Sequence, residues 1–213
     1  MAPLLLLDLD NTLIDRDAAF EAWVRHVAEG AGAPVSAVDE VLAVDDSGYG
    51  DRDDVAEAMR RLLRLEDDPE TLVDRIRHEH VELVALAEGV RERIEAIADR
   101  GVHLGVVTNG PVRQQTMKLR RVGLSGLVDR AMISEGAGVA KPDPEIFRRA
   151  MERAGATPDD TWMVGDSARA DIRGAQDAGL RTGWVSLGRG WPGGEPPTVQ
   201  APTTAEVLDL TRL

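Results

Sequence analysis

Asp8 and Asp10 stand two residues apart behind a short apolar run, Leu4 to Leu7, and Asn11 and Thr12 follow them. A carboxylate at the edge of a core is costly unless it is paired, metal-bound or catalytic. In extended chain i and i+2 share a face, so both acids can reach one crevice as the strand ends. Asn11 and Thr12 suit the turn that follows. A strand ending in a solvated polar turn is the plain alternative for this segment alone. Three further segments repeat the arrangement: Thr108-Asn109-Gly110, Lys141 ahead of Pro142-Asp143-Pro144, and Gly165-Asp166-Ser167 with Asp171 one helical turn on.

Each of these groups has a task in phosphoryl transfer. A carboxylate can attack phosphorus and form an aspartyl phosphate. A second acid can protonate the leaving oxygen and then activate water. Thr108 offers a hydroxyl, and the N–H groups of Asn109 and Gly110 offer further donors at a helix start. Lys141 supplies a compact positive charge toward the nucleophile and the phosphoryl oxygens. Asp8 and Asp166 suit Mg²⁺, which favours a few carboxylates, waters and substrate oxygens. Taken singly, Thr-Asn-Gly is a common turn and Lys141 a surface lysine. Asp166 or Asp171 alone is a helix N-terminal charge favoured by the macrodipole. The four segments in this order are what point to one site.

The elements that must hold these groups alternate. Strand-like segments run Pro3 to Asp8, Val102 to Thr108, Val128 to Ser134, Thr161 to Gly165 and Arg181 to Ser186. Helical patterns run Glu88 to Arg100, Pro111 to Arg121, Asp143 to Ala154 and Ser167 to Ala178, each followed by a glycine. Strands alternating with helices predict an α/β fold, a Rossmann-like doubly wound parallel sheet. Ligands of such sheets bind beyond the carboxyl ends of the strands, where all four segments fall. The exception is an all-helical block: Ala18 to Glu29, Ser36 to Val44, Arg52 to Leu65 and Pro69 to Leu86. It divides the chain into a core, 1–16 and 88–213, and a helical insertion, 17–87. Inside the insertion, Asp45 to Gly50 is either a loop overhanging a cleft or an ordinary helix connector. The tail from Gly188 to Pro202, rich in Gly and Pro, is expected to be irregular, with a closing helix over Thr203 to Leu210.

The bulk numbers exclude some classes. A chain of 213 residues suits one large domain or a core with an inserted module. The net charge of −13 argues against binding a nucleic acid polymer, which needs clustered Lys and Arg. With no cysteine, disulfides, thiolate catalysis and zinc–thiolate sites are excluded. No stretch approaches the ~20 apolar residues of a membrane span, and the N-terminal run is too short for a signal segment. A cytoplasmic protein, monomeric or weakly dimeric, is expected.

Through these residues the chain resembles the haloacid dehalogenase-type (HAD) hydrolases. Asp8-Leu9-Asp10-Asn11-Thr12 matches the first family motif, DxDxT. Thr108-Asn109-Gly110 matches the second, Lys141 the third, and Gly165-Asp166-Ser167 through Asp171 the fourth. The helical insertion is similar to a C1-type cap. The resemblance implies Asp8 as nucleophile and metal ligand, and Asp10 as general acid/base with its carbonyl on the metal. It implies Thr108, Asn109 and Gly110 at the phosphate, Lys141 orienting Asp8, and Asp166 on Mg²⁺ with Asp171 binding directly or through water. The activity implied is Mg²⁺-dependent hydrolysis of a small phosphorylated metabolite. A 2-haloacid dehalogenase using the same nucleophile is the alternative, though dehalogenases lack the second acid and the metal. An inactive phosphate-binding module is another, against which the intact acids and Lys141 speak. Val139 to Phe147 is similar to the subgroup of nucleotide 5′-phosphatases and N-acylneuraminate 9-phosphatases.

Six other positions bear on chemistry. His78 and His80 flank Glu79, but i and i+2 diverge on a helix, so the pair reads as a solvated face. Trp23 reads as packing within the insertion and Trp184 as core. Arg189 and Trp191 read as tail residues.

Overall fold

The computed structural model describes residues 2–213, so Met1 lies outside the described residues. Contacts divide the chain into two units: Met1–Ile14 with Leu86–Leu213, and Asp15–Ala85.

The first unit carries six parallel strands: β1 Leu4–Leu7, β2 His103–Thr108, β3 Ala131–Ile133, β4 Thr161–Gly165, β5 Arg181–Val185 and β6 Val199–Ala201. Their order is β3-β2-β1-β4-β5-β6. The direction of winding reverses between β1 and β4, and a crevice opens beyond the strand ends at that point. Leu4 to Leu7 of β1 register with His103 to Val106 on one side and Thr161 to Val164 on the other, so the residues after Leu7 and Gly165 emerge side by side. All four leucines are buried, as a central strand of a doubly wound sheet requires.

The helices, in chain order, are α1 Arg16–Ala31, α2 Val35–Asp45, α3 Arg52–Leu63, α4 Pro69–His78, α5 Val90–Asp99, α6 Val112–Arg121, α7 Ser134–Ala137, α8 Pro144–Ala154, α9 Gly174–Asp177 and α10 Thr204–Thr211. One face of the sheet buries Leu4, Leu6, Val107 and Met163 against Ile146, Phe147 and Met151 of α8 and Ala175 of α9. Thr203 caps α10 with Glu206 in a reciprocal capping box.

Two sequence expectations are corrected in this unit. The tail is not wholly irregular, because Val199–Ala201 pairs with β5 as a sixth strand. Three residues among glycines and prolines give too short a period to detect. The helix expected over Ser167 to Ala178 opens instead as a π turn, Ala168–Arg173, before α9. Asp171 must reach back to the strand end, and the wider turn lets it do so.

The second unit is helical throughout. Phe20, Trp23 and Val24 of α1 pack with Val38 and Val41 of α2, Val55, Met59 and Leu63 of α3, and Leu72 and Ile76 of α4. Asp15, Asp51 and Asp68 cap the N-termini of α1, α3 and α4. Between α2 and α3 the chain is fixed by charge. Asp45, buried, accepts from both terminal nitrogens of Arg16, from Arg52 Nη1 at 2.9 Å and from Gly48 N–H at 3.0 Å.

The helix expected to run from Pro69 to Leu86 stops at His78 and gives way to a 3-10 turn, Glu79–Leu83. Val81 and Val84, three apart and both buried, share a face in that tighter winding. The turn also corrects the reading of His80. It is not on a solvated face: it is 1% exposed, edge-on to Phe20, with Nδ1 2.8 Å from the Ile76 carbonyl. Among the described residues no helix is long and apolar enough to cross a membrane.

Candidate active site

β1 delivers Asp8 to the crevice. Its N–H donates to Val164 O at 2.9 Å, so the first residue past β1 stays registered against β4. Asn11 then takes φ 57°, a left-handed conformation that asparagine tolerates, and the chain folds back with Ile14 N–H donating to Leu9 O.

Lys141 is the hub. Its ammonium donates to Asp8 Oδ1 at 2.6 Å, to Asp171 Oδ1 at 2.6 Å and to Val107 O at 2.8 Å. Three donors meet three acceptors in a buried place, which satisfies the group completely. Burial favours the neutral amine, but Asp171 and Asp8 outweigh it and hold the Lys141 ammonium well above its ordinary range.

Asp171 is 0% exposed and its other oxygen accepts from Ser167 N–H at 2.9 Å. This close return explains Gly165. A Cβ there would lie 2.3 Å from Asp171 Oδ2, so no other residue fits beneath that carboxylate.

Asp166 is 5% exposed. Burial, with Asp171 adding to it, pushes its carboxyl up to about 7 against the opposing pull of Arg189. Asp8 is likewise raised, by burial first and by Asp171 and Asp166, although Lys141 opposes the shift. Oxygens of Asp8, Asp166 and Asp171 lie within 4.8 Å of one another. Three buried carboxylates face two cations, Lys141 and Arg189, and the donor set is all oxygen. That chemistry fits a hard divalent cation such as Mg²⁺. The Asp10 carboxylate lies outside this trio.

Thr108, 1% exposed, ends β2. Both ends of the Asn109 amide are engaged by the Lys141 backbone: Nδ2 donates to its carbonyl at 3.0 Å and Oδ1 accepts its N–H at 2.9 Å. The Asn109 side chain therefore fixes the segment that carries Lys141. The Gly110 N–H, expected to face phosphate, donates to Ser134 Oγ at 2.9 Å. Ser134 begins α7 after β3, and nothing in the sequence marks it as that acceptor.

Four residues that the sequence did not mark for the site, or placed in the tail, lie in it. Arg189 is no free tail residue: its Nη2 donates to Asp166 O at 2.8 Å and to Asp166 Oδ2 at 3.0 Å. Trp191 packs edge-on against Trp184, whose Nε1 also donates to Asp166 O. Gln115 and Lys118 project from α6 to Asp10. A signal for these two existed. Positions 115, 118, 119 and 122 form one helical face, and a glutamine and a lysine interrupt it beside Leu119 and Val122.

Comparison with known proteins follows the same lines. The family model described as haloacid dehalogenase-like hydrolase matches residues 5–185. The glyceraldehyde 3-phosphate phosphatase of Pyrococcus furiosus is 30% identical over 199 residues, 87% of this chain and 81% of that protein. The pyrimidine 5′-nucleotidase YjjG of Escherichia coli is 42% identical over 110 residues, 50% of this chain and 48% of that protein. Among solved structures, the HAD-hydrolase YfnB from Bacillus subtilis bound to magnesium superposes with a TM-score of 0.78 at 27% identity, covering 100% of this chain and 99% of that one.

Proposed function

The chain belongs to the haloacid dehalogenase-like hydrolases, and from that premise we propose that it is a Mg²⁺-dependent phosphatase of a small phosphorylated metabolite, acting through phosphorylated Asp8. The observation that carries the reading is the pairing of Asp8 with Lys141 at 2.6 Å inside a trio of carboxylates, while Asp10, two residues on, is held apart from that trio.

In this reading Asp8 attacks phosphorus, the bond from phosphorus to the ester oxygen breaks, and Asp10, as the carboxylic acid, gives its proton to the departing oxygen. Water then attacks the aspartyl phosphate. The Asp10 carboxylate takes the water's proton, the bond to Asp8 breaks, and inorganic phosphate leaves with both acids restored. General acid–base help of this kind contributes about 10²–10⁴ in rate. Lys141 keeps one Asp8 oxygen fixed, and Thr108 offers its hydroxyl to the phosphoryl group. Asp8, Asp166 and Asp171 would hold Mg²⁺, with the Asp10 carbonyl as a further ligand. When bound, the ion offsets repulsion between anionic nucleophile and anionic substrate.

Phosphate release from a panel of phosphorylated metabolites, with EDTA and with Mg²⁺, tests the proposal. Asp8→Asn is expected to keep its circular dichroism and melting profile and lose turnover. Turnover in that variant rejects the nucleophile, and turnover in EDTA rejects the metal.

A further inference from the structure

Asp10 is the more exposed of the two acids, with 27% of its side chain open, against 10% for Asp8. A carboxylate at a crevice rim samples several rotamers unless something holds it. Two side chains do. Lys118 Nζ lies 2.7 Å from Asp10 Oδ1 and 2.8 Å from Oδ2, straddling the group. Gln115 Nε2 donates to Asp10 Oδ2 at 3.0 Å, and lies 2.7 Å from Thr108 Oγ1 and 3.2 Å from the Asn109 carbonyl. Gln115 and Lys118 are three apart on α6, so one helical face presents both. They are 1% and 2% exposed. A buried ammonium on a helix that begins just after the Thr-Asn-Gly turn is not surface charge.

We propose that Gln115 and Lys118 are positioning residues that fix Asp10 for its proton transfers and align the Thr108 hydroxyl beside it. The inference rests on the phosphatase reading above. A Gln115 N–H directed at Thr108 Oγ1 occupies an acceptor side of that oxygen, so the hydroxyl hydrogen must point elsewhere. Gln115 Oε1 is buried with no hydrogen-bond partner among the described residues. A residue kept only for stability would not leave a buried acceptor unsatisfied, so the value of Gln115 lies in what its Nε2 holds. Lys118 keeps Asp10 within a fixed region in both steps, first as acid and then as base. Neither residue touches the phosphorus or the ester oxygen in this scheme.

The test compares wild type, Lys118→Met, Lys118→Arg and Gln115→Leu on glycerol phosphate and on p-nitrophenyl phosphate. Glycerol leaves only with a proton, whereas p-nitrophenolate leaves without one. On glycerol phosphate Lys118→Met is expected to lose about 10²-fold in kcat, the loss that follows displacement of a catalytic group by about 1 Å. Its KM stays within about threefold of wild type, since substrate binding is not what the contact serves. On p-nitrophenyl phosphate the same variant forms phosphoenzyme at the wild-type rate and releases phosphate slowly. The signature is a burst of about one p-nitrophenol per enzyme, with phosphoenzyme accumulating in quenched mass spectra. Lys118→Arg restores most of the rate, because a guanidinium also spans both carboxylate oxygens. Gln115→Leu gives a smaller loss of the same pattern and carries the test if Lys118→Met does not fold.

Equal loss on both esters without a burst, or a melting change as the sole effect, overturns the proposal. So does kcat for Lys118→Met within about threefold of wild type on glycerol phosphate. Wild-type protein that cleaves neither ester overturns the phosphatase reading and this inference with it. Active wild type with unaffected variants overturns the positioning role alone.

Discussion

Stripping divalent ions from the protein is expected to make its stability fall as pH rises from about 5 to about 7, opposite to the trend that paired surface carboxylates produce. The cause is Asp166. Its carboxyl is pushed from the ordinary 3.8 to about 7 by burial and by Asp171. The folded chain therefore binds that proton more tightly than the unfolded chain does. Stability from such a group is present at low pH and is lost as pH climbs from the unfolded value through the folded one. Asp8, raised in the same direction, adds to the slope. Each unit of difference is worth about 1.4 kcal/mol, and integrating between pH 5 and 7 gives about 2 kcal/mol for Asp166 alone. For a chain of this size that lowers the melting temperature by about 4–8 °C.

The assay is thermal or urea unfolding at both pH values in EDTA, in wild type and in Asp166→Asn. Subtracting the variant isolates the contribution of Asp166. Magnesium at about one hundred times its dissociation constant is expected to return about 2.7 kcal/mol at pH 7, since a cation bound only by the folded state adds that much. A wild-type stability that is flat or rising across the window, or an equal slope in Asp166→Asn, refutes the argument that three buried carboxylates are held against their own repulsion.

Two further outcomes follow from the geometry. Asp45→Asn, which removes the buried carboxylate paired with the Arg16 guanidinium, is expected to lower urea stability by about 3–5 kcal/mol. Burial works to raise Asp45, but Arg16 and Arg52 prevail and hold it below its ordinary range, so its stabilisation is present above about pH 4 and lost below, with a wild-type acid transition absent from the variant. Gly165→Ala, whose new methyl group meets Asp171 at 2.3 Å, is expected to cost about 1–3 kcal/mol and to weaken Mg²⁺ binding measured by calorimetry, and normal binding would refute the close-packing account.

The parallel sheet was readable because strands such as Leu4 to Leu7 and Thr161 to Gly165 are apolar runs that end in polar chemistry. Their residues carry enough side-chain contrast to fix type and position. Val199–Ala201 carried none, since three residues on an edge strand have no period. The placement of candidate residues immediately after strands was also readable, because topology alone brings Asp8 and Asp166 to neighbouring strand ends. Groups that arrive from the middle of a helix, Gln115 and Lys118, depend on the rotation of α6, which no local spacing fixes. Arg189 was hidden for another reason. It lies in a Gly-rich stretch where composition suggests irregular chain, yet two hydrogen bonds to Asp166 tie it down. The fate of the Gly110 N–H depended on Ser134, twenty-four residues away, and was beyond any local reading.

Two carboxylates separated by one leucine are thus given different surroundings by different neighbours. Asp8 faces Lys141 and two further acids in a buried trio, where burial and those acids raise its carboxyl against the pull of Lys141. Asp10 faces Lys118 and Gln115 at the rim, outside that trio. The strand end sets their spacing, but β4 and α6 set their chemistry. The proposed division into a nucleophile and a proton carrier requires that asymmetry, because identical environments would make the two acids compete for one proton.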